Sequence, residues 1–127
     1  MHTIVLKDAT PNSPYLNLNP QSGLMEIKGR MIPENSHTLF DPIVEWVDEY
    51  LIQPSIKTEL NIQLEYFNTR SSKFLLDIFR KFEKLYLKKH KVIVNWICDE
   101  DDFDMIEAGE DYQAIVKLPF NIIELKE

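Results

Sequence analysis

The chain has little of several things, and each shortage excludes something. It has one cysteine, Cys98, in 127 residues. One cysteine cannot close an intrachain disulfide or build a thiolate metal cage, and it points to a reducing compartment. Glycine is scarce, at 3 residues, so long flexible loops are not expected. No uncharged apolar run approaches the roughly 18 residues that a membrane span needs. The segment Met1-His2-Thr3-Ile4-Val5-Leu6-Lys7-Asp8 lacks the long apolar stretch of a signal peptide. A cytoplasmic protein without membrane insertion is the expectation. Positive charge is also short: 14 Lys and Arg face 21 Asp and Glu, a net charge of -7. That disfavours general nucleic-acid binding, because phosphate contacts need a basic footprint.

What is present suits one globular domain, taken as residues 1–127, with 44% apolar and 28% charged residues. A chain of this size buries roughly two thirds of its unfolded surface and needs no covalent staples. The charge is unevenly spread. Residues 70–91 hold Arg70, Lys73, Arg80, Lys81, Lys84, Lys88, Lys89 and Lys91 against Asp77 and Glu83. Residues 99–111 hold Asp99, Glu100, Asp101, Asp102, Asp104, Glu107, Glu110 and Asp111 with no base. Solvated helix faces account for both clusters, and two patches for different partners are the functional alternative.

Periodicity sets the elements. Residues 8–14 (Asp-Ala-Thr-Pro-Asn-Ser-Pro) read as a turn-rich lead-in. Tyr15 to Asn19 and Leu24 to Ile32 alternate apolar and polar around the turn Pro20-Gln21-Ser22-Gly23, which predicts a hairpin. Leu39, Ile43, Trp46, Val47, Tyr50 and Leu51 form a helical stripe over 39–52, with Pro42 expected in its first turn. Leu60, Ile62, Leu64 and Tyr66 alternate as a strand. Leu75, Ile78, Phe79, Phe82, Leu85 and Tyr86 give a helix over 71–89, whose basic last turn suits the negative end of its dipole. Val92 to Ile97 reads as a buried strand. Asp101 to Ala108 reads as a short helix stopped by Gly109, and Phe120 to Leu125 as a last strand. This order predicts an α/β fold: a mixed sheet with an N-terminal β-hairpin and about three helices packed on it.

Signatures of catalysis are mostly missing. There is no Gly-rich phosphate loop, no G-x-S-x-G and no H-E-x-x-H. His2, His37 and His90 lie far apart and read as surface residues. Cys98 sits beside acids, which raise a thiol pKa and make it a poor nucleophile. The acidic stretch fails as a calcium loop: with Asp99 first, the sixth position is Asp104 where glycine is required. A small ligand- or metal-binding domain using residues 99–111 is one alternative function. A structural subunit without a switch is another. No cofactor is expected.

The strand-to-helix junction Tyr66-Phe67-Asn68-Thr69-Arg70-Ser71-Ser72-Lys73 holds three hydroxyls and an Asn. Partners of open α/β sheets meet such loops at the carboxyl ends of strands. One helix cap needs one such residue, and four are present. A phosphoryl group here would meet free N–H groups and the positive end of the dipole, with Arg70 and Lys73 able to pair with it. Capping and a phosphorylation switch both remain open on these grounds.

The chain resembles the SiaC family of bacterial regulatory phosphoproteins over nearly its whole length. The carriers are Pro14-Tyr15-Leu16 with the hairpin around Gly23; Pro33-Glu34-Asn35-Ser36 before the Trp46 helix; Tyr66 to Lys73; and Gly109-Glu110-Asp111-Tyr112 before Pro119-Phe120. The family is similar to the anti-sigma-factor antagonists, and the resemblance implies a STAS-like fold and partner switching. It implies a phosphoacceptor at Thr69, supported by Asn68, Arg70, Ser71, Ser72 and Lys73. A Ser/Thr protein kinase would add the phosphate and a metal-dependent PP2C-type phosphatase would remove it. The unmodified form would bind a diguanylate cyclase, or another signalling effector, and promote cyclic-di-GMP synthesis and biofilm behaviour.

Overall fold

The computed structural model describes residues 1–6 and 9–126. Lys7 and Asp8, the latter the first residue of the predicted lead-in, lie outside them. Among the described residues, six strands form one sheet and three helices cover it. The predicted hairpin is present as β2 (Tyr15–Asn19) and β3 (Leu24–Met31), paired in antiparallel register from Tyr15↔Lys28 to Asn19↔Leu24. Gly23 closes the turn at φ +75°, where a Cβ would stand 2.0 Å from the Lys57 carbonyl oxygen, so only glycine fits. A three-residue strand missed by periodicity, β1 (Ile4–Leu6), adds to the outer edge of β2. It is too short for alternation to register.

From β3 onward the strands are parallel: β4 (Lys57–Phe67), β5 (Lys91–Asp99) and β6 (Phe120–Leu125). Helices α1 (Ser36–Tyr50), α2 (Thr69–Leu87) and α3 (Phe103–Ile115) form the crossovers. The strand order follows the chain order. Right-handed crossovers advancing one way put every helix on the same face of the sheet. Burial agrees: Leu16, Leu18, Met25, Ile27, Leu60, Ile62, Leu64, Val92, Val94 and Trp96 are buried, while the alternate residues Glu26, Asn61, Gln63 and Asn95 are only partly covered. All three helices therefore begin at the carboxyl ends of strands, on one rim.

The core lies between the sheet and the helices. Phe40 of α1 stacks on Phe74 of α2 with ring centres 4.1 Å apart, and Phe79 meets Tyr112 and Phe120 edge-on. Each such ring contributes about 1.5–3 kcal/mol by leaving water. The Tyr50 hydroxyl, inside this core, is 2.8 Å from the Thr58 hydroxyl, so its polar atom is not orphaned. No helix among the described residues is long and apolar enough to cross a membrane.

Four expectations needed correction. Helix α1 starts at Ser36, so Pro42 lies in its second turn rather than its first. There it removes the bond to the Thr38 carbonyl. Thr38 and Pro42 are both exposed, so water replaces that bond at small cost. Helix α2 starts at Thr69, two residues early, because Asn68 rather than a serine caps it. Helix α3 runs through Gly109 to Ile115. Gly109 is not a stop; it gives the helix room against Trp96, whose Cδ1 would be 2.5 Å from a Cβ at this position. Finally, Tyr66 does not point inward. The register steps from Gly29↔Leu64 to Arg30↔Tyr66, leaving Glu65 as an extra residue in β4. Such a bulge inverts the alternation beyond it. Phe67 therefore turns toward the core and meets the Trp96 ring edge-on at 5.9 Å, and Tyr66 is 51% exposed under Arg30.

Candidate functional site

The β4–α2 junction is built by assigning one task to each polar side chain. Asn68 holds extended backbone angles (φ -91°, ψ 177°), and its Oδ1 accepts the Ser71 N–H at 2.9 Å. Its carbonyl accepts the Ser72 N–H at 2.9 Å. Asn68 is thus the cap that the helix requires. Ser71 is fully buried, and its Oγ donates to the Met31 carbonyl at 2.7 Å, tying the helix to the end of β3. Ser72 is half-buried. Its Oγ lies 2.9 Å from the Tyr112 hydroxyl, which donates to the Ser72 carbonyl at 2.9 Å. Burial pushes the Tyr112 pKa up, partly countered by the Ser72 hydrogen bond, so the phenol stays protonated as a donor. Arg70 is exposed and reaches across to the first residue of α1, its Nη1 donating to the Ser36 Oγ at 3.3 Å.

Thr69 is left as the exposed hydroxyl, in the first helical position. Lys73 is exposed one turn further along the same face. The first turn of α2 carries no acid. The structure thus brings all six predicted residues, Asn68, Thr69, Arg70, Ser71, Ser72 and Lys73, to one rim, but it divides them. Two of the three hydroxyls are anchors, and one faces solvent. Sequence reasoning missed Tyr112, Ser36 and Met31 as partners of this loop. Two of them lie some 40 residues away (for Met31–Ser71 and Ser72–Tyr112, |i−j| = 40), so no local signal identifies them. Removal of the cap has a simple expected effect: Asn68→Ala lowers stability by about 1 kcal/mol, seen as a fall of about 4 °C in the thermal midpoint. Asn68→Asp, which keeps the acceptor, retains most of it. A midpoint unchanged in Asn68→Ala would show that the cap does not hold this helix start.

The same rim carries the acidic segment. Asp102 caps α3, its Oδ1 accepting the Met105 N–H at 3.2 Å, and Asp104 sits in the first turn, where a negative charge is favoured. Among the described residues no three His, Cys, Asp or Glu side chains converge to hold a metal ion. Cys98 is buried, and burial, with Glu124, Asp102 and Asp99 nearby, raises its pKa, as expected of an unreactive thiol. A cleft of about 600 Å³ opens beside the junction between Tyr15, Lys28, Gln63, Glu65, Asp99 and Asp102.

Comparison with known proteins agrees with this architecture. Residues 7–125 match the model of the SiaC family of regulatory phosphoproteins. An uncharacterized protein of Pseudomonas aeruginosa is 29% identical over 113 residues, which is 89% of this chain and 90% of that one. The crystal structure of apo-SiaC from Pseudomonas aeruginosa superposes with a TM-score of 0.86 at 28% identity, over 97% of this chain and 99% of the other. A chain from the complex of the diguanylate cyclase SiaD with its activator SiaC, of the same organism, superposes with a TM-score of 0.90 at 27% identity, over 96% and 99%. The overall fold is thus shared with these structures, and this chain belongs to the SiaC family of regulatory phosphoproteins.

Proposed function

We propose that residues 1–127 form a single cytoplasmic regulatory domain with no chemistry of its own, a binding module whose docking is controlled by phosphate on Thr69. With Thr69 unmodified, the rim made by the amino ends of α1 and α2 binds and activates a diguanylate cyclase, raising cyclic-di-GMP output toward biofilm behaviour. A Ser/Thr protein kinase adds the phosphate and ends docking, and a PP2C-type phosphatase restores it. The observation that carries this reading is the division of labour in the loop: Ser71 and Ser72 are occupied in holding α2, and Thr69 offers its hydroxyl to solvent. The complex of the diguanylate cyclase SiaD with its activator SiaC supports the class of effector.

The switch follows from charge. Phosphate brings about -1.5 to -2 charges and three acceptor oxygens. In the free protein these meet the unused N–H groups of the first turn, the guanidinium of Arg70 and the positive end of the helix dipole. Against a docked partner they would be desolvated. The decisive experiment incubates the chain with a Ser/Thr kinase and ATP and maps the modified residue by mass spectrometry. One phosphate at Thr69, absent in Thr69→Ala and retained in Ser72→Ala, is expected. Full modification of Thr69→Ala would remove Thr69 from the mechanism.

A further inference from the structure

The opposite rim carries a second feature that the switch does not use. At the amino ends of β4 and β5, a groove of about 500 Å³ is lined by Tyr86, Leu87, Ile93 and Pro119, with Lys57, Lys89, His90 and Lys91 around it. Lys57 and Lys91 are paired residues in the parallel register of β4 and β5. Both are exposed, so two like charges stand side by side on neighbouring strands, an arrangement that costs stability. The Lys and Arg ion pairs among the described residues join Arg80 to Glu83 and Lys81 to Asp48, and leave these lysines out. Glu59, two residues along the same face, accepts a hydrogen bond from Asn95 at 3.1 Å. The dipole of α2 accounts for Lys84 and Lys88 in its last turn and cap, but not for Lys57 on a separate strand.

Lys89 adds an independent sign. It holds φ +75° just beyond the C-cap Lys88, with its N–H donating to the Tyr86 carbonyl at 2.9 Å. Glycine is the favoured residue there, and a lysine carries a strain that glycine would remove. The apolar wall is open to solvent as well, with Leu87 62% exposed. Thus two local costs to stability, a like-charge pair and a left-handed lysine, both place cations around one exposed apolar groove.

We propose that this groove binds an acidic peptide segment of a partner protein. One apolar side chain of that segment lies against Tyr86, Leu87 and Ile93, and flanking carboxylates meet Lys57, Lys89 and Lys91. A small-molecule pocket would enclose most of its ligand; this groove is open to solvent along its side, which suits a chain passing over it. The site lies at the far end of the strands from Thr69, and the proposal does not depend on phosphorylation.

The test uses the full chain, labelled with nitrogen-15, titrated with the synthetic peptide acetyl-Asp-Asp-Phe-Asp-Asp and followed by amide chemical shifts. Shifts are expected to cluster at Lys57 and residues 86–93, and binding to weaken as salt rises. Lys57→Glu creates an opposite-charge pair with Lys91 and is expected to raise the thermal midpoint by about 2 °C. Lys89→Gly relieves the left-handed strain and should raise it by about 4 °C. Each nevertheless weakens the peptide by about fivefold or more, so the loss cannot come from unfolding. The proposal is overturned if no shifts appear at the groove, or if both variants bind as the parent does. It also fails if a peptide with Ser replacing Phe binds equally well, or if inorganic phosphate alone reproduces the pattern, which would mark a simple anion site.

Discussion

Phosphorylation of Thr69 is expected to weaken binding to the proposed cyclase partner by at least about 100-fold while leaving the thermal midpoint within about 2 °C of the unmodified chain. The two halves of this prediction have different physical sources. A 100-fold loss corresponds to about 2.8 kcal/mol. A dianion pressed against a partner without a full set of donors loses hydration worth that much or more. In the free protein no such loss arises. Thr69 is exposed, the first turn of α2 carries no acid, and Asn68, Ser71 and Ser72 keep their own bonds, so nothing that holds the helix is disturbed. Thr69→Glu carries one charge and no tetrahedral oxygens, and is expected to give a smaller loss, about tenfold. Calorimetric titration of the phosphorylated and unmodified chains with the cyclase checks the first half, and thermal unfolding the second. Equal affinities for both forms would sink the switch; a midpoint that falls by 10 °C or so would mean that phosphate acts by melting α2 instead.

Arg70 would give the proposed switch a second contact to read. Its bond to the Ser36 hydroxyl, at 3.3 Å, links the first turn of α2 to the first turn of α1. A phosphate on Thr69 competes for the same guanidinium, and charged acceptors bind it more strongly than a neutral hydroxyl does. Phosphorylation at Thr69 would therefore be felt at the start of α1.

How far these features are legible from the sequence depends on the range of the interaction behind them. The stripe Leu75, Ile78, Phe79, Phe82, Leu85 repeats at helical spacing, and α2 follows it. The hairpin is equally local, since Asn19 and Gly23 close their own turn: the Asn19 Oδ1 accepts from Gln21 and Ser22, and its carbonyl accepts the Gly23 N–H. The strand-to-helix junction that holds Thr69 is legible for the same reason, although the helix starts two residues before its apolar stripe suggests. Three failures involve a neighbour distant in sequence. Alternation puts Tyr66 inside, but pairing with β3 skips Glu65 and turns it outward. Ser71 and Ser72 read as spare hydroxyls, but their partners sit on β3 and α3. Within its own helix Gly109 reads as a terminator, and only the Trp96 ring on β5 shows why it is there.

That last contact yields the second large prediction. By helix propensity alone, Gly109→Ala should stabilise a helix interior by about 1 kcal/mol. The packing predicts the opposite sign. An alanine Cβ would stand 2.5 Å from Trp96 Cδ1 and 2.8 Å from its Nε1. The ring has no room to retreat. It is buried, its Nε1 donates to the Met105 carbonyl at 2.9 Å, and Phe67, Tyr112 and Phe120 surround it at 5.9, 5.4 and 6.2 Å between centres. Overpacking of a core costs about 1–3 kcal/mol and is at its upper end where nothing yields. Set against the propensity gain, a net loss of about 2 kcal/mol remains, a fall of about 8 °C in thermal midpoint. Combining Gly109→Ala with Trp96→Phe should cost less than the two single changes added together, because the smaller ring vacates the clashing volume. Strict additivity, or a rise in the midpoint of Gly109→Ala, would show that Trp96 does not set this position. The consequence reaches the functional rim. A helix α3 pushed off the sheet carries Tyr112 with it, and Tyr112 holds both the hydroxyl and the carbonyl of Ser72. Gly109→Ala is thus expected to loosen the first turn of α2 around Thr69, read as faster amide hydrogen exchange there than in Asn68→Asp.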